Sequence, residues 1–399
     1  MTTASTAQSR RARFPIYSLL ACLAAALGAL ALLYQPLRLK LEKLEYWTAD
    51  WRTSLLSDRI DGKHPRIVLV LFDPQTFGGN IVSPIPRDDH AKVLRAIAAM
   101  QPAAIGLDFY FIASQGKERD EAMLAALRDI DRPVVVGAVD HHTDEFDDGQ
   151  LAYQQAFHAQ VDRPKGYLAL DYGPNHIVRR TSPPVPGSPF QESFARQVAL
   201  ASGAQLGGLG ASSASTRIAW LEGTTGDTEP FTRFSAKELL HGTSDARRQE
   251  IAQRIKGNIV LTGIAMPNSD LHDTALSVWT DEKMLGVMIH AQIIAQLLDG
   301  RYLHELDGQP RTILLVIVGL AGLLLGWSLG EKRAALLNLG LATAVLVAVD
   351  ALCYLGLRIV LPFTLILYVW FVGALAGRHL RVLGRWARRR STSPVPQAA

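Results

Sequence analysis

Cysteine is almost absent from this sequence of 399 residues, and both copies lie in apolar stretches. Cys22 and Cys353 stand outside residues 35–311, so this central region holds neither a disulfide framework nor a cysteine-ligated zinc site. Charge is also scarce, with 20% charged against 48% hydrophobic residues and a mean hydropathy of +0.12. This balance excludes an intrinsically disordered chain and indicates a membrane protein with a large water-soluble part.

Basic residues are concentrated outside the central region. Of the 41 Lys and Arg, 12 lie outside residues 35–311, together with only two of the 37 Asp and Glu. The central region therefore holds the other 29 basic and 35 acidic residues and is mildly acidic. Because a nucleic-acid surface needs a basic patch that neutralises phosphates, we expect no nucleic-acid partner.

Four apolar stretches are long enough to cross a bilayer, which takes about 20 helical residues. They cover residues 16–34, 312–329, 334–357 and 359–377. The first could instead be a cleaved signal peptide, since arginines precede it and Ala29-Leu30-Ala31 resembles a cleavage site. Leu32 and Leu33 continue the apolar run beyond that triplet, so we predict a retained membrane anchor.

The positions of Lys and Arg predict the orientation, because these residues are enriched on the cytoplasmic side of membrane spans. They cluster before the first span, at Lys332-Arg333, and in the tail from Arg378. We therefore predict a multi-pass protein of a bacterial inner (plasma) membrane with both termini cytoplasmic. Its predicted parts are a cytoplasmic N-terminus with the first span (1–34), an extracytoplasmic domain (35–311), three spans (312–377) and a basic cytoplasmic tail (378–399).

Strands and helices alternate in the first part of the central region. Continuous apolar runs at 66–73, 103–111 and 133–139 are typical of strands buried on both faces. An amphipathic stretch that Asp88 or Asp89 could cap and a second one over 118–128 separate these runs. The βαβαβ order predicts an α/β domain with a mostly parallel sheet, beside one N-terminal and three C-terminal transmembrane helices.

The rest of the central region shows a regular pattern only near its end. A buried strand at 257–263 is followed by a loop and by a helix at 286–298 that Gly300 should terminate. Residues 140–190 and 202–216 have an irregular composition rich in turn-forming residues.

These segments together resemble the type-two CHASE domain, an extracytoplasmic sensory domain found beside cyclase and kinase outputs. The resemblance covers roughly residues 40–305, with 140–255 only loosely matched, and it implies one membrane helix before the domain and about three after it. Because only residues 378–399 follow the last span, we expect an output protein in trans. The segments that carry the resemblance are Asp50-Trp51-Arg52, the strand ending at Asp73, Pro84-Ile85-Pro86-Arg87 with His90-Ala91, Gly106-Leu107-Asp108, the run 257–263, Asp270 with Asp273, Gly286 to Ala291, and Leu298-Asp299-Gly300.

Aspartates follow three of the predicted strands and form the candidate ligand site. Asp73 and Asp108 each end a predicted parallel strand, and Asp270 and Asp273 lie in the loop after a third one. Ligands bind outside the carboxyl ends of strands in open α/β sheets. Converging carboxylates could hold a divalent cation or a cationic ligand. Alternatively, Asp73 and Asp108 cap helices or pair with Arg87.

Other candidate residues lie at helix ends. Arg87 and His90 lie at the start of the first helix, where an anion could meet free N–H groups. Asp50 and Arg52 follow the first span and could form either a structural docking pair or a signal-coupling pair. His290 lies on an apolar helix face and is expected to be a packed, hydrogen-bonded side chain.

Three classes of function remain open. The sequence contains no nucleophile elbow, glycine-rich phosphate loop or His-x-x-x-His pair, so we expect no enzyme. We predict a membrane sensor that binds an unknown ligand or envelope protein, needs no cofactor beyond a potential divalent cation, and could form homo-oligomers. A metal-dependent hydrolase that uses Asp73, Asp108 and Asp270 and a structural envelope scaffold are the alternatives.

Overall fold

The computed structural model describes residues 15–31, 35–140, 142, 145–224, 229–329 and 332–391. Most of the predicted cytoplasmic N-terminus and the end of the basic tail lie outside these residues. The described chain forms two compact units. The α/β unit is Asp50–His304, and the membrane unit combines Met1–Ala49 with Glu305–Ala399.

The helices and strands of both units are numbered in chain order, and they alternate through most of the α/β unit. The α-helices are α1 Ile16–Ala31, α2 Gln35–Leu55, α3 Arg87–Ala99, α4 Lys117–Asp129, α5 Asp148–His158, α6 Phe194–Ala201, α7 Lys237–Leu240, α8 Asp245–Ile255, α9 Ser277–Thr280, α10 Gly286–Asp299, α11 Gly308–Ser328, α12 Lys332–Leu357 and α13 Phe363–Ser391. The strands are β1 Asp58–Ile60, β2 Ile67–Phe72, β3 Ala104–Leu107, β4 Val134–Ala138, β5 Lys165–Tyr167, β6 Asp171–Tyr172, β7 Ile177–Arg180, β8 Leu221–Gly223, β9 Thr232–Ser235, β10 Ile259–Ile264, β11 Leu271–Thr274, β12 Met284–Leu285, β13 His304–Glu305 and β14 Ile359–Val360.

Six parallel strands form the main sheet of the α/β unit, in the order β5-β4-β3-β10-β2-β9. The predicted mostly parallel α/β fold is therefore confirmed. The chain runs from β2 through α3 to β3, and β10 later inserts between these two strands, where Ile259 lies opposite both Ile67 and Ala104. This insertion brings the carboxyl ends of β2, β10 and β3 side by side.

Small residues let helix α6 lie directly on the main sheet. A Cβ atom at Gly166 of β5 would come within 2.5 Å of the Phe194 Cα atom. At Gly106 of β3, a Cβ atom would lie 2.8 Å from the Phe194 ring and 2.9 Å from Val198. Phe194 and Val198 are fully buried in the resulting core. Larger residues at these two positions would push the helix off the sheet.

The start of α3 differs from the sequence prediction. Pro86 occupies the N-cap position and no side chain caps the helix, so the prediction of an Asp88 or Asp89 cap was wrong. Both aspartates lie in the first turn instead and pair with Lys92, at 3.4 Å and 2.9 Å. The end of α10 agrees with the prediction, because Gly300 adopts a left-handed φ of +64°.

The region that the sequence left irregular contains real elements. It includes α5, the edge strand β5 and two strands of a second sheet with the order β12-β11-β7-β6. In that second sheet β11 and β7 are parallel, and Asp273 lies opposite Ile177. These strands have only two to four residues each, too few to give a periodic sequence signal.

Among the described residues of the membrane unit, three helices are long and apolar enough to cross a bilayer: Gly308–Ser328, Leu336–Leu357 and Phe363–Arg389. The three predicted C-terminal spans are therefore confirmed as candidate spans. Helix α1 has 16 residues, about 24 Å of helix against a bilayer core of about 30 Å. It packs against α13, where the Tyr368 hydroxyl donates to the Gly28 carbonyl at 2.7 Å. The fourth span stays a prediction.

Candidate functional site

A cavity of about 890 Å³ opens at the carboxyl edge of the main sheet. Its walls come from the segments after β3, β4, β5 and β10 and from the first two turns of α3 and α10. This is the position at which open α/β sheets bind ligands. The volume lies within the range of ordinary small-molecule sites.

Asp108 follows β3 directly and lines this cavity. Its backbone N–H donates to the Thr262 carbonyl at 2.9 Å, which fixes the residue beside β10. Its side chain is only 9% exposed, yet within the described chain the carboxylate accepts no hydrogen bond. Burial raises the pKa of Asp108 well above its usual range, and the charge of Asp270 raises it further. The described chain thus supplies no hydrogen-bond donor to the Asp108 carboxyl group.

His290 lies in the second turn of α10. Among the described residues, it is the basic side chain that lies within ion-pair distance of Asp108. Its Nε2 atom lies 3.9 Å from the Asp108 Oδ1 atom, too far for a hydrogen bond. The ring packs edge-on against Phe194, with the centroids 5.2 Å apart. Its Nδ1 atom has no full hydrogen bond, and the nearby backbone of Leu168 interacts only weakly. Burial lowers the pKa of His290 to about 4, so a neutral ring faces Asp108 at neutral pH.

Asp270 lies over the N-terminus of α10. It has a positive φ of +53°, and its carbonyl accepts the Gly286 N–H at 3.0 Å. A Cβ atom at Gly286 would come within 2.5 Å of the Asp270 carboxylate, so only glycine lets the carboxylate approach so closely. The helix N-terminus favours this negative charge. The Asp270 and Asp108 carboxylates therefore flank the first two turns of one helix.

His272 links Asp270 to the opposite wall. Its Nε2 atom lies 2.8 Å from the Asp270 Oδ1 atom, and its Nδ1 atom lies 2.7 Å from the Tyr172 hydroxyl. Both contacts are hydrogen bonds if Tyr172 donates to Nδ1 and Nε2–H donates to the carboxylate. Burial raises the pKa of Tyr172 to about 12, so this hydroxyl keeps its proton.

Aromatic side chains form much of the remaining wall. Tyr110 and Phe146 meet edge to face, with ring centroids 5.3 Å apart. Tyr172 lies at a tilted angle to His272, with centroids 5.7 Å apart. All of these side chains line the cavity. The site thus combines carboxylates at its base with aromatic rings around them.

Comparison with known families agrees with this architecture. The family model described as the CHASE2 domain matches residues 22–329, more than half of the chain. The chain belongs to the CHASE2 family. This is a family of extracytoplasmic sensory domains, which is consistent with a sensor role. Searches of curated proteins and of solved structures each found no match.

Two predicted residues, Arg87 and His90, line the CHASE2 cavity but have little to offer an anion. The buried Arg87 guanidinium forms an ion pair with Asp120, donates to the Tyr153 hydroxyl at 2.7 Å and stacks on aromatic rings. His90 is also buried, with its ring centroid 4.1 Å from that of Phe109. Burial lowers the pKa of His90 to about 3, so it carries no charge at neutral pH. Both residues support the wall of the cavity.

Two predicted aspartates lie away from the cavity lining. Asp73 follows β2, but its carboxylate caps the next turn, accepting the Thr76 N–H and the Ser235 hydroxyl at 2.9 Å each. The predicted grouping of Asp73 with Asp108 and Asp270 is therefore not what the structure shows, because local donors already satisfy Asp73. Asp273 points to Lys283, with 3.2 Å between its Oδ2 atom and the Nζ atom.

Asp50, near the end of α2, forms a buried ion pair. Its carboxylate accepts from Arg179 Nε at 2.8 Å and from Nη2 at 2.6 Å, and the two side chains are 2% and 3% exposed. Arg217 lies 3.8 Å away. Arg52 is half-buried two residues further along the helix. The sequence suggested Arg52 as the companion of Asp50, whereas the structure provides Arg179 from β7.

Sequence reasoning missed four residues of the site: Tyr110, Phe146, Tyr172 and His272. Tyr110 and His272 each lie two residues after a predicted aspartate, which is a usable signal. Tyr172 lies in the region without a sequence pattern. Among the described residues, no group of three or more His, Cys, Asp or Glu could hold a metal ion. A divalent cation therefore stays a prediction from the sequence.

Proposed function

We propose that this CHASE2 protein is a non-catalytic, membrane-anchored sensor that binds a small ligand in the cavity at the carboxyl edge of its main sheet. One observation carries the proposal: Asp108 is buried against a cavity of about 890 Å³ and accepts no hydrogen bond from the described chain. A ligand group that donates to this carboxylate would supply the hydrogen bond that the described chain does not provide.

A short path of paired elements connects the cavity with α2 inside the α/β unit. His272 of the cavity wall lies on β11, which pairs with β7. The neighbouring Arg179 on β7 holds Asp50 of α2. A ligand can shift this path only if it binds two conformations of the domain with different affinity. We propose that Asp50 couples ligand binding to α2 through Arg179 and that a partner protein reads the signal in trans.

The hydrolase alternative requires a metal or a paired acid and base. The described residues provide no metal-holding group, and the His290 and Asp108 side chains are too far apart for a hydrogen bond. No observation on the described residues favours catalysis over binding. The scaffold alternative requires a surface without a pocket, whereas the CHASE2 cavity is large.

The proposed topology places both termini in the cytoplasm and residues 35–311 outside a bacterial inner membrane. Reporter fusions at Gln309, near Arg333 and at the C-terminus test it. The first fusion should report an external location and the other two an internal one. A cytoplasmic signal at Gln309 would contradict the topology.

Blocking the cavity tests the sensor proposal itself. Ala169 lines the cavity, so Ala169→Trp should fill part of it, whereas Ala214→Trp places the same ring on an exposed loop. Full-length wild type and both variants are heated with fractions of a small-molecule extract. A ligand at about 100 times its dissociation constant adds about 2.7 kcal/mol to stability. The active fraction should stabilise wild type and Ala214→Trp but not Ala169→Trp.

Two results would contradict the proposal. Equal stabilisation of all three proteins would place the ligand elsewhere. Chemical conversion of the fraction by wild type, abolished in Asp108→Ala, would make the protein an enzyme.

A further inference from the structure

Acidic residues outnumber Lys and Arg in the described lining of the cavity. Its acidic lining residues are Asp108, Glu145 and Asp270, and the only Lys or Arg among the described lining residues is Arg87. The Arg87 guanidinium is already held by Asp120, which lies outside the lining. The charge of Arg87 is therefore balanced by Asp120 and not by an acidic residue of the lining.

Asp108 and Asp270 define where a charged group would bind. Asp270 lies directly over Gly286, and Asp108 lies 3.9 Å from His290, so both carboxylates face the start of α10. His290 is neutral and cannot compensate Asp108. An anion at this place would be repelled, and an uncharged ligand would leave the buried carboxylate without a counter-charge. A cation satisfies both the hydrogen-bonding capacity and the charge of Asp108.

The size and walls of the site decide what kind of cation fits. A bare metal ion needs several protein ligands close together, and the described residues provide no such group. The cavity is also far larger than a metal ion requires. Tyr110, Phe146 and Tyr172 supply aromatic surface, which attracts organic cations and packs against their apolar parts.

Building on the proposed sensor function, we infer that the ligand is an organic cation whose ammonium or guanidinium group binds between Asp108 and Asp270. The body of this cation packs against the aromatic rings of Tyr110, Phe146 and Tyr172. If Asp108 is protonated in the empty site, its carboxyl group releases that proton when the cation binds. The site would then reject carboxylates and phosphates of the same size.

Three probes with the same phenylethyl body and a cationic, an uncharged or an anionic end group test this inference. Full-length protein in detergent is titrated calorimetrically with 2-phenylethylammonium, 2-phenylethanol and 3-phenylpropanoate. The same titrations use Asp108→Asn, Asp270→Asn and the control Asp73→Asn, which removes an aspartate that follows β2 and does not line the cavity. The melting temperature of each variant shows that it is folded.

We expect the ammonium ion to bind at least ten-fold more tightly than the alcohol, and the carboxylate to bind most weakly. Asp108→Asn and Asp270→Asn should each weaken ammonium binding at least ten-fold, while Asp73→Asn leaves it unchanged. Equal affinity for the three probes, no binding of the ammonium ion, or full binding by Asp108→Asn would overturn the cation inference. None of these results would contradict the sensor proposal, which the Ala169→Trp variant tests separately. Unchanged ammonium binding by Ala169→Trp would show that the cavity is not the binding site and would contradict both the sensor proposal and the cation inference.

Discussion

Removing the Asp50 carboxylate should strongly destabilise the α/β unit. Asp50→Asn keeps the size of the side chain but removes the carboxylate charge with which the buried Arg179 guanidinium pairs. The pair is 2% and 3% exposed and has two hydrogen bonds of 2.8 Å and 2.6 Å. Breaking a buried pair of this kind costs about 3–5 kcal/mol, because the remaining charge stays desolvated. For a unit of this size the loss corresponds to a decrease in melting temperature of roughly 10 °C.

Thermal melting of the full-length protein, followed by tryptophan fluorescence, measures this loss. Asp131→Asn is the matched control, since Asp131 pairs with its neighbour Arg132 at the surface, where solvent screens the interaction. The control should melt like wild type. Arg179→Gln should destabilise about as much as Asp50→Asn, and the double variant should lose less than the sum of the two. A loss in Asp50→Asn no larger than in Asp131→Asn would refute the assignment of this ion pair as the anchor of α2.

Three further predictions concern packing and titration. Gly166→Ala should lower the free energy of unfolding by about 1–3 kcal/mol, because its Cβ atom would lie 2.5 Å from the Phe194 Cα atom. A Cβ atom at Gly207 would have no neighbour within 4 Å, so the control Gly207→Ala should melt like wild type. Asp108→Asn should raise the melting temperature of the empty protein at pH 8 but not near pH 4. Because the pKa of Asp108 is raised in the folded state, wild type loses stability as the pH rises from near 4 through that pKa. An equal change in melting temperature at both pH values would contradict this. Calorimetric titration should show tighter 2-phenylethylammonium binding at pH 8 than at pH 5, since the cation favours the ionised form of Asp108. Weaker binding at pH 8 would contradict binding of the cation at Asp108.

The main sheet was largely predictable because its long strands are buried on both faces. The runs around β2, β3, β4 and β10 are continuous and apolar, and the helices between the first three require parallel pairing. The insertion of β10 between β2 and β3 was not predictable, since local patterns do not encode strand order. The short strands of 140–255 were missed for a different reason: few residues give no periodicity.

The candidate site was predictable only in part. Asp108 and Asp270 follow from their positions after parallel strands, and the same rule placed Asp73 with them. Thr76 and Ser235 draw the Asp73 side chain into a cap, and one of these donors comes from a distant segment. The burial of His290 was expected, but its unsatisfied Nδ1 atom was not, because its surroundings come from strands far away in the sequence.

Analysis of the small molecules that remain bound to the purified protein tests whether Asp108 holds an organic cation. Native mass spectrometry of protein extracted gently from membranes compares wild type, Asp73→Asn and Asp108→Asn. Wild type and Asp73→Asn should each retain an organic cation that is missing from Asp108→Asn. An anionic or uncharged molecule retained equally by all three proteins would show that Asp108 does not bind a cation.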